Sequence, residues 1–114
     1  MDNFSINIEN EVFEKINDGL AEYVILLNNT KNKQLKEGNF ITLVNEVGGK
    51  TFNVKITALY FFDSIKDLFA MVGKTQCGYS ASTNVDLIED KYTKMFNDEK
   101  IVKYGVIAAK IEKI

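Results

Sequence analysis

The chain has 114 residues, of which 46% are hydrophobic and 26% are charged, and its formal net charge is −2. All fourteen basic residues are lysines, because arginine is absent along with histidine, tryptophan and proline. This composition excludes histidine-dependent catalysis, imidazole metal ligands and the planar arginine contact with phosphate. The size and composition predict one globular domain spanning residues 1–114.

Several features point to the cellular setting. No apolar run approaches the roughly 20 residues that span a bilayer, and the first four residues lack the features of a secretory signal. A single cysteine, Cys77, cannot form an internal disulfide bond. We therefore predict a cytoplasmic protein without a membrane anchor, a metal or a cofactor. The abundance of lysine, asparagine and isoleucine suggests an AT-rich source such as a bacterium or a phage, and the acidic average restricts polyanion contacts to local lysine patches.

The first third of the chain alternates between strand and helix patterns. Apolar residues at every second position predict a strand over Phe4–Ile8. Helical spacing after Asn10, a suitable N-cap, predicts about two turns of helix, and Gly19 follows where a left-handed C-terminal cap belongs. The apolar run Tyr23–Leu27 predicts a buried strand, and the polar residues 28–33 predict a loop.

The rest of the chain predicts a hairpin, two helices and a closing strand. Residues 40–44 and 51–58 are strand-like and flank a Gly-Gly turn. A helix capped by Ser64 ends near Gly73, and a second helix opens at Thr83 after a loop rich in glycine, serine and threonine. The nearly continuous apolar run 104–111 predicts the last strand. This order favours an α+β fold, a small mixed sheet curled toward a barrel with about three helices packed at its ends.

Five phrases along the chain stand in an order and spacing that resemble the ASCH domain, a family of the PUA-like fold. They are Phe13-Glu14-Lys15-Ile16-x-x-Gly19, Leu35-Lys36-Glu37-Gly38-Asn39-Phe40-Ile41, Ser64-Ile65-x-x-Leu68, Gly78-Tyr79-Ser80, and Tyr92 with Tyr104-Gly105-Val106-Ile107-Ala108. The resemblance covers most of the chain. It implies a PUA-like barrel with a pocket for a nucleoside or single-stranded RNA, since the family includes RNA-associated proteins and small amidohydrolases that deacetylate N4-acetylcytidine.

The chain departs from this family at the residues that carry the chemistry. In the family's enzymes, a lysine two residues after the glycine and a threonine five residues after it act with a later glutamate. This chain has Ala21 and Val24 at those positions, and Leu26 stands where the family has an arginine. A threonine nucleophile activated by a lysine has no replacement in alanine and valine, so we predict no catalytic residues.

Other residues remain candidates for ligand contacts. Three lysines in the polar loop are suited to a phosphate, and tyrosines in or next to loops can stack on a base, whereas the apolar stripe around Tyr92 favours core packing. The predicted ligand-binding residues are Glu22, Asn28, Lys31, Lys33, Lys36, Tyr79, Ser80 and Tyr104. The carboxylates Glu9, Glu11 and Glu14 are predicted to favour a helix start, and Cys77 is predicted to be an unreactive free cysteine.

Three functions remain open from the sequence. The leading hypothesis is a noncatalytic ASCH-like binding module for a nucleoside, nucleotide or RNA segment. The second is a protein-interaction module, phage or mobile-element encoded, with an apolar surface around Tyr60, Phe61 and Phe62. The third is an N4-acetylcytidine amidohydrolase-like enzyme whose catalytic residues have moved to other positions.

Overall fold

The structure, a computed structural model, describes residues 4–114. It contains five β-strands, four α-helices and two short 3-10 turns, at Asn32–Gln34 and Thr75–Cys77. In chain order the elements are β1 (Phe4–Ile8), α1 (Asn10–Asn17), β2 (Tyr23–Leu27), β3 (Phe40–Asn45), β4 (Thr51–Phe62), α2 (Ile65–Met71), α3 (Val85–Phe96), α4 (Asp98–Tyr104) and β5 (Val106–Lys113).

The five strands form one mixed sheet in the order β1-β3-β4-β5-β2. The β1–β3 pair is parallel, and the other three pairs are antiparallel. Apolar side chains on the inner face, such as Leu43, Ile56 and Ile107, have no exposed surface. The predicted mixed α+β fold with a curled sheet is confirmed. Strands β1 and β2 are its two edges and do not pair with each other, so the sheet is half of a barrel.

Helix α1 forms because Val12, Phe13 and Ile16 recur at helical spacing and are all buried. Gly19 follows it with φ of 78°, as predicted for a left-handed cap. The predicted N-cap was wrong by one residue. Glu9 is the N-cap, and Asn10 is the first helical residue, whose Oδ1 accepts a hydrogen bond from Asn45 Nδ2 at 2.8 Å.

The caps of α2 and α3 show how local chemistry sets helix starts. Ser64 Oγ accepts a hydrogen bond from the Asp67 N–H at 3.1 Å, as predicted. For α3, the predicted start at Thr83 was wrong. Asn84 is the N-cap, and its Oδ1 accepts from the Asp86 N–H at 2.8 Å, which satisfies one of the free donors at the helix start.

Helix α4 was missed by the sequence analysis, so the structure has four α-helices where about three were predicted. Asn97 (φ of 76°) breaks the chain after α3, and its Oδ1 caps the new helix through the Glu99 N–H at 2.9 Å. Only Ile101 of α4 is buried, which explains the absence of an amphipathic signal. Tyr104 therefore ends a helix and does not begin the last strand, which starts at Val106.

The placement of the helices leaves one side of the half-barrel open. Helix α2 contacts β4 and β5, and α4 contacts β2. The free edges of β1 and β2 face each other across a gap, which both strands line. Within residues 4–114, none of the helices combines the length and the apolar character needed to cross a lipid bilayer.

Candidate functional site

A cleft of about 340 Å³ lies between the free edges of β1 and β2. Ligand pockets in proteins commonly have volumes of about 300–1,000 Å³, so the cleft is of the size that holds a small molecule. Its walls come from both edge strands, the loop after β2, and the ends of α3 and α4. The residues that line it are Phe4, Ser5, Ile6, Asn7, Ile8, Glu9, Val12, Val24, Ile25, Leu26, Leu27, Asn29, Lys31, Asn32, Cys77, Tyr92, Met95, Phe96 and Lys100.

The β1 edge presents backbone groups to the cleft. The Ile8 C=O accepts a hydrogen bond from the Glu46 N–H at 3.0 Å, at the end of the parallel pairing with β3. Because successive residues of a strand direct their backbone groups to opposite sides, Ser5 and Asn7 direct theirs away from β3. These N–H and C=O groups have no strand partner within residues 4–114.

The β2 edge is similar but more deeply buried. Glu22 and Asn28 hydrogen-bond through their backbones to Ile111 and Gly105, at 2.8 and 3.0 Å. By alternation, Ile25 and Leu27 direct their backbone groups to the open edge, and the Leu27 C=O accepts from Asn32 Nδ2 at 2.8 Å. Ile25 is only 7% exposed, and buried backbone groups require hydrogen-bond partners. A ligand or water in the cleft can supply these partners.

The remaining wall of β2 is apolar. Val24 and Leu26 are 1% and 3% exposed and stand where the resemblance would place a threonine and an arginine. Phe96 packs against Tyr92 with ring centroids 5.2 Å apart, and both rings line the cleft. The cleft thus combines apolar walls with hydrogen-bonding edges.

A buried hydrogen-bond cluster closes one end of the cleft. Tyr79 Oη donates to Glu9 Oε1 at 2.9 Å and lies 2.7 Å from Tyr92 Oη, while Lys91 Nζ donates to Glu9 Oε2. Because a carboxylate only accepts hydrogen bonds, the Tyr79 hydroxyl donates its hydrogen to Glu9 and therefore accepts a hydrogen bond from the Tyr92 hydroxyl. Burial raises the pKa of both phenols well above its ordinary value, so they are protonated at neutral pH. The cluster supplies hydrogen bonds and no nucleophile.

The structure brings few of the predicted ligand-binding residues into the cleft. Lys31 lines it. Lys33 and Tyr104 lie outside the lining but close to each other, with Lys33 Nζ 5.9 Å from the ring centroid of Tyr104. The others lie outside the lining: Glu22, Lys36 and Ser80 are exposed, Tyr79 is 3% exposed, and Asn28 Oδ1 is buried without a hydrogen-bond partner among the described residues. Their contacts with a ligand stay a prediction.

Other cleft residues were not predicted. Ser5 and Asn7 had been assigned only to the polar face of the first strand, and Asn29, Asn32 and Lys100 carried no distinctive pattern. Lys100 could not be found because its helix was missed. The polar alternation of β1 marks a half-buried strand, but it does not tell which strand is an edge.

Cys77 lies against the cleft as an inert thiol. It is 2% exposed, and burial raises the pKa of its thiol to about 12. We expect iodoacetamide to alkylate the folded protein at pH 8 at least about 100-fold more slowly than the urea-unfolded chain, because the thiolate fraction falls about tenfold per pKa unit. Mass spectrometry of timed samples measures both rates, and equal rates would contradict the prediction. Among residues 4–114, no three His, Cys, Asp or Glu side chains are arranged to hold a metal ion.

No protein-family model and no curated protein matches the chain. Solved structures do match it. Hypothetical protein PH0355 has a TM-score of 0.82 at 24% identity, covering 99% of this chain and 100% of its own. Protein PF0455 from Pyrococcus furiosus has a TM-score of 0.71 at 23% identity, covering 99% and 98%. Protein EF3133 from Enterococcus faecalis V583, of family DUF984, has a TM-score of 0.61 at 12% identity, covering 100% and 77%. The likeness is one of fold.

Proposed function

We propose that the protein is a noncatalytic binding module of the ASCH type, with a PUA-like half-barrel, whose cleft binds a base-containing ligand such as a nucleoside, a nucleotide or an RNA segment. The observation that carries the proposal is the cleft of about 340 Å³ between two strand edges with unpaired backbone groups. The order of sequence phrases that resemble the ASCH domain supports the same proposal.

A nucleobase matches the chemistry of the cleft walls. It is flat and apolar on its faces, and it carries hydrogen-bond donors and acceptors around its rim. The faces would lie between the apolar wall of Val24 and Leu26 and the ring of Phe96. The rim would meet backbone groups such as those of Ile25, and the amide side chains of Asn29 and Asn32 add further donors and acceptors.

The lining includes two lysines suited to a phosphate. Lys31 belongs to the loop after β2 and Lys100 to α4, and both are exposed. Their ammonium groups provide positive charge in a chain whose net charge is −2. A nucleoside monophosphate should therefore bind more tightly than the nucleoside.

The proposed role is binding without turnover, since the cleft offers no activated nucleophile. Val24 stands where the family's enzymes have a threonine, the two buried phenols are protonated, and Lys91 is paired with Glu9. The alternative, a hydrolase with relocated residues, is tested by incubating the protein with N4-acetylcytidine and following cytidine by chromatography. Cytidine released by the protein, and lost in Glu9→Gln, would establish the hydrolase instead.

The direct test is a titration of the ¹⁵N-labelled protein with each nucleoside and its 5′-monophosphate, followed by amide NMR spectra and calorimetry. We expect the amides of Ile25, Ser5 and Asn7 to shift. Lys31→Gln should weaken the monophosphate about fivefold, because one exposed charge-assisted contact contributes about 1 kcal/mol. It should leave the nucleoside affinity unchanged.

Lys50→Gln is the matched control for that variant. Lys50 is an exposed lysine of the turn between β3 and β4 and does not line the cleft, so its loss removes the same charge without the contact. Equal losses of monophosphate affinity in both variants would show that Lys31 acts only through general charge attraction and does not contact the phosphate. An absence of amide shifts with every base at millimolar concentration would reject the binding function.

A second candidate function is protein interaction, favoured by exposed aromatic residues at the end of β4. Tyr60 and Phe61 are 46% and 60% exposed, and Phe62 is half-buried. Scattered apolar residues are common on protein surfaces, so this observation supports interaction less strongly than the cleft supports ligand binding. Sedimentation of the purified protein over a concentration range tests self-association through this surface, and Phe61→Ser should abolish any dimer found.

A further inference from the structure

A basic and aromatic surface continues from the mouth of the cleft. It consists of four lysines and one tyrosine, which we name the lysine-tyrosine strip: Lys31, Lys33, Lys100, Lys103 and Tyr104. Two of its lysines come from the loop after β2, and its other residues come from α4. Lys31 and Lys100 also line the cleft, so the strip and the cleft share a border.

Tyr104 lies at the centre of the part of the strip beyond the cleft. The Nζ atoms of Lys33 and Lys103 lie 5.9 and 5.2 Å from its ring centroid. Its side chain is partly exposed. Lys100 is one helical turn earlier, about 6 Å along the axis of α4, so the ring and the cleft are separated by a short distance.

The lysines of the strip form no ion pair within residues 4–114, and the nearest carboxylates along α4, Asp98 and Glu99, lie in its first turn. Within residues 4–114, no carboxylate oxygen lies within 4.0 Å of any of its four ammonium groups, and the ion pairs of this part of the chain use Lys66 and Lys91. Two lysines, Lys33 and Lys103, lie over the Tyr104 ring, while Lys31 lies 5.9 Å from the ring centroid of Phe4 in the cleft. This group of lysines contrasts with the acidic average of the chain. Such a combination of backbone-contacting cations and a stacking platform is typical of single-strand readers.

We propose that the cleft binds one nucleotide of a single-stranded nucleic acid, whose neighbouring base stacks on Tyr104 while its phosphates contact the lysines of the strip. The inference rests on the proposed function and selects, from the nucleoside, nucleotide and RNA segment named there, a single strand that also contacts the lysine-tyrosine strip outside the cleft. A lysine now over the ring would exchange that weak exposed contact for a phosphate when the base stacks.

The experiment compares a mononucleotide with a five-nucleotide strand of the same base, in RNA and DNA arms, by calorimetry at several salt concentrations. We expect the strand to bind at least about tenfold tighter. Tyr104→Leu should remove most of this gain without changing mononucleotide affinity, and Tyr104→Phe should retain it. Tyr60→Leu, at an exposed tyrosine outside the strip, is the control and should change neither.

The lysines are tested by the salt dependence of strand binding. The double variant Lys33→Gln, Lys103→Gln should reduce the slope of log K against log salt by about 1.4, or about 0.7 for each lost phosphate contact on a single strand. The control pair Lys50→Gln, Lys94→Gln removes two exposed lysines elsewhere and should leave the slope unchanged.

The outcomes separate the two proposals. If the mononucleotide binds but neither strand binds more tightly, the proposed role of the strip is wrong and the proposed function stands. The same holds if the higher affinity of the strand survives Tyr104→Leu. Equal affinity for inorganic polyphosphate of the same length would also overturn the proposed role of the strip, since stacking would then contribute nothing. A gain in either arm supports it and identifies the sugar of the natural strand. Binding of neither mononucleotide nor strand would reject the proposed function itself.

Discussion

Gly105→Ala is expected to lower the free energy of unfolding by about 4 kcal/mol, the sum of a backbone penalty of about 2 kcal/mol for a conformation that only glycine readily adopts and an overpacking cost of about 2 kcal/mol. Gly105 has φ of +77°, and a Cβ atom there would lie 2.7 Å from the backbone oxygen of Phe62. Its own carbonyl accepts from the Asn28 N–H, so neither side can move without disturbing the sheet. Urea unfolding followed by circular dichroism measures the loss.

Gly38→Ala is the matched control for this substitution. Gly38 also has a positive φ, +91°, but a Cβ atom there would meet nothing within 4 Å. Gly38→Ala should therefore show only a positive-φ backbone penalty, about 1 to 2 kcal/mol. Equal losses for the two variants would show that the contact with Phe62 contributes nothing. A large excess for Gly105→Ala would locate the strain where β2, β4 and β5 come together.

Alkaline pH is expected to destabilise the protein steeply above pH 10. Burial raises the pKa of Tyr79 and Tyr92 above the ordinary 10.0, and that of Cys77 from 9.0 to about 12. Well below pH 9 all three groups are protonated in both the folded and the unfolded chain. Their full contribution to the free energy of unfolding is therefore present there. At higher pH the unfolded chain loses these protons first, and the free energy of unfolding falls by about 1.4 kcal/mol per pH unit for each group.

Urea titrations between pH 8 and pH 11 measure this slope, and the absorbance of tyrosinate reports when the phenols ionise. The absorbance step of Tyr79 and Tyr92 should coincide with unfolding. Tyr92→Phe should cost about 1 kcal/mol at neutral pH through one lost hydrogen bond, and it should flatten the slope above pH 10 by one proton. An unchanged slope in that variant would contradict burial of the phenol as the cause.

The hydrogen-bond cluster of Glu9, Tyr79 and Tyr92 positions one wall of the cleft. The Glu9 carboxylate, paired with Lys91, holds Tyr79 and through it Tyr92, and this fixes the ring of Tyr92 beside Phe96 in the cleft wall. Under the proposed function, such a fixed aromatic wall would lose little conformational entropy when a flat ligand enters.

Elements with strong periodicity could be predicted from the sequence. The strands β1 and β2, the helix α1 and the Ser64 cap of α2 appear where alternation, helical spacing and capping chemistry placed them. Helix α4 was not predicted because a single buried residue, Ile101, produces no helical periodicity of apolar residues in the sequence. The starts of α1 and α3 each differ by one residue from the prediction. At α1 the Asn10 side chain accepts from Asn45 and Glu9 makes no side-chain cap, whereas at α3 the Asn84 side chain caps the helix.

By itself, the sequence determined the local elements, the absence of histidine and arginine chemistry, and the lysine at position 31 that lines the cleft. Only the tertiary structure decided that β1 and β2 are unpaired edges, and that Glu9 meets Tyr79 across 70 positions of sequence. The physical reason is the distance along the sequence over which each interaction acts. Periodicity and capping depend on a few neighbouring residues, whereas an open strand edge or a buried hydrogen-bond cluster depends on how distant segments pack.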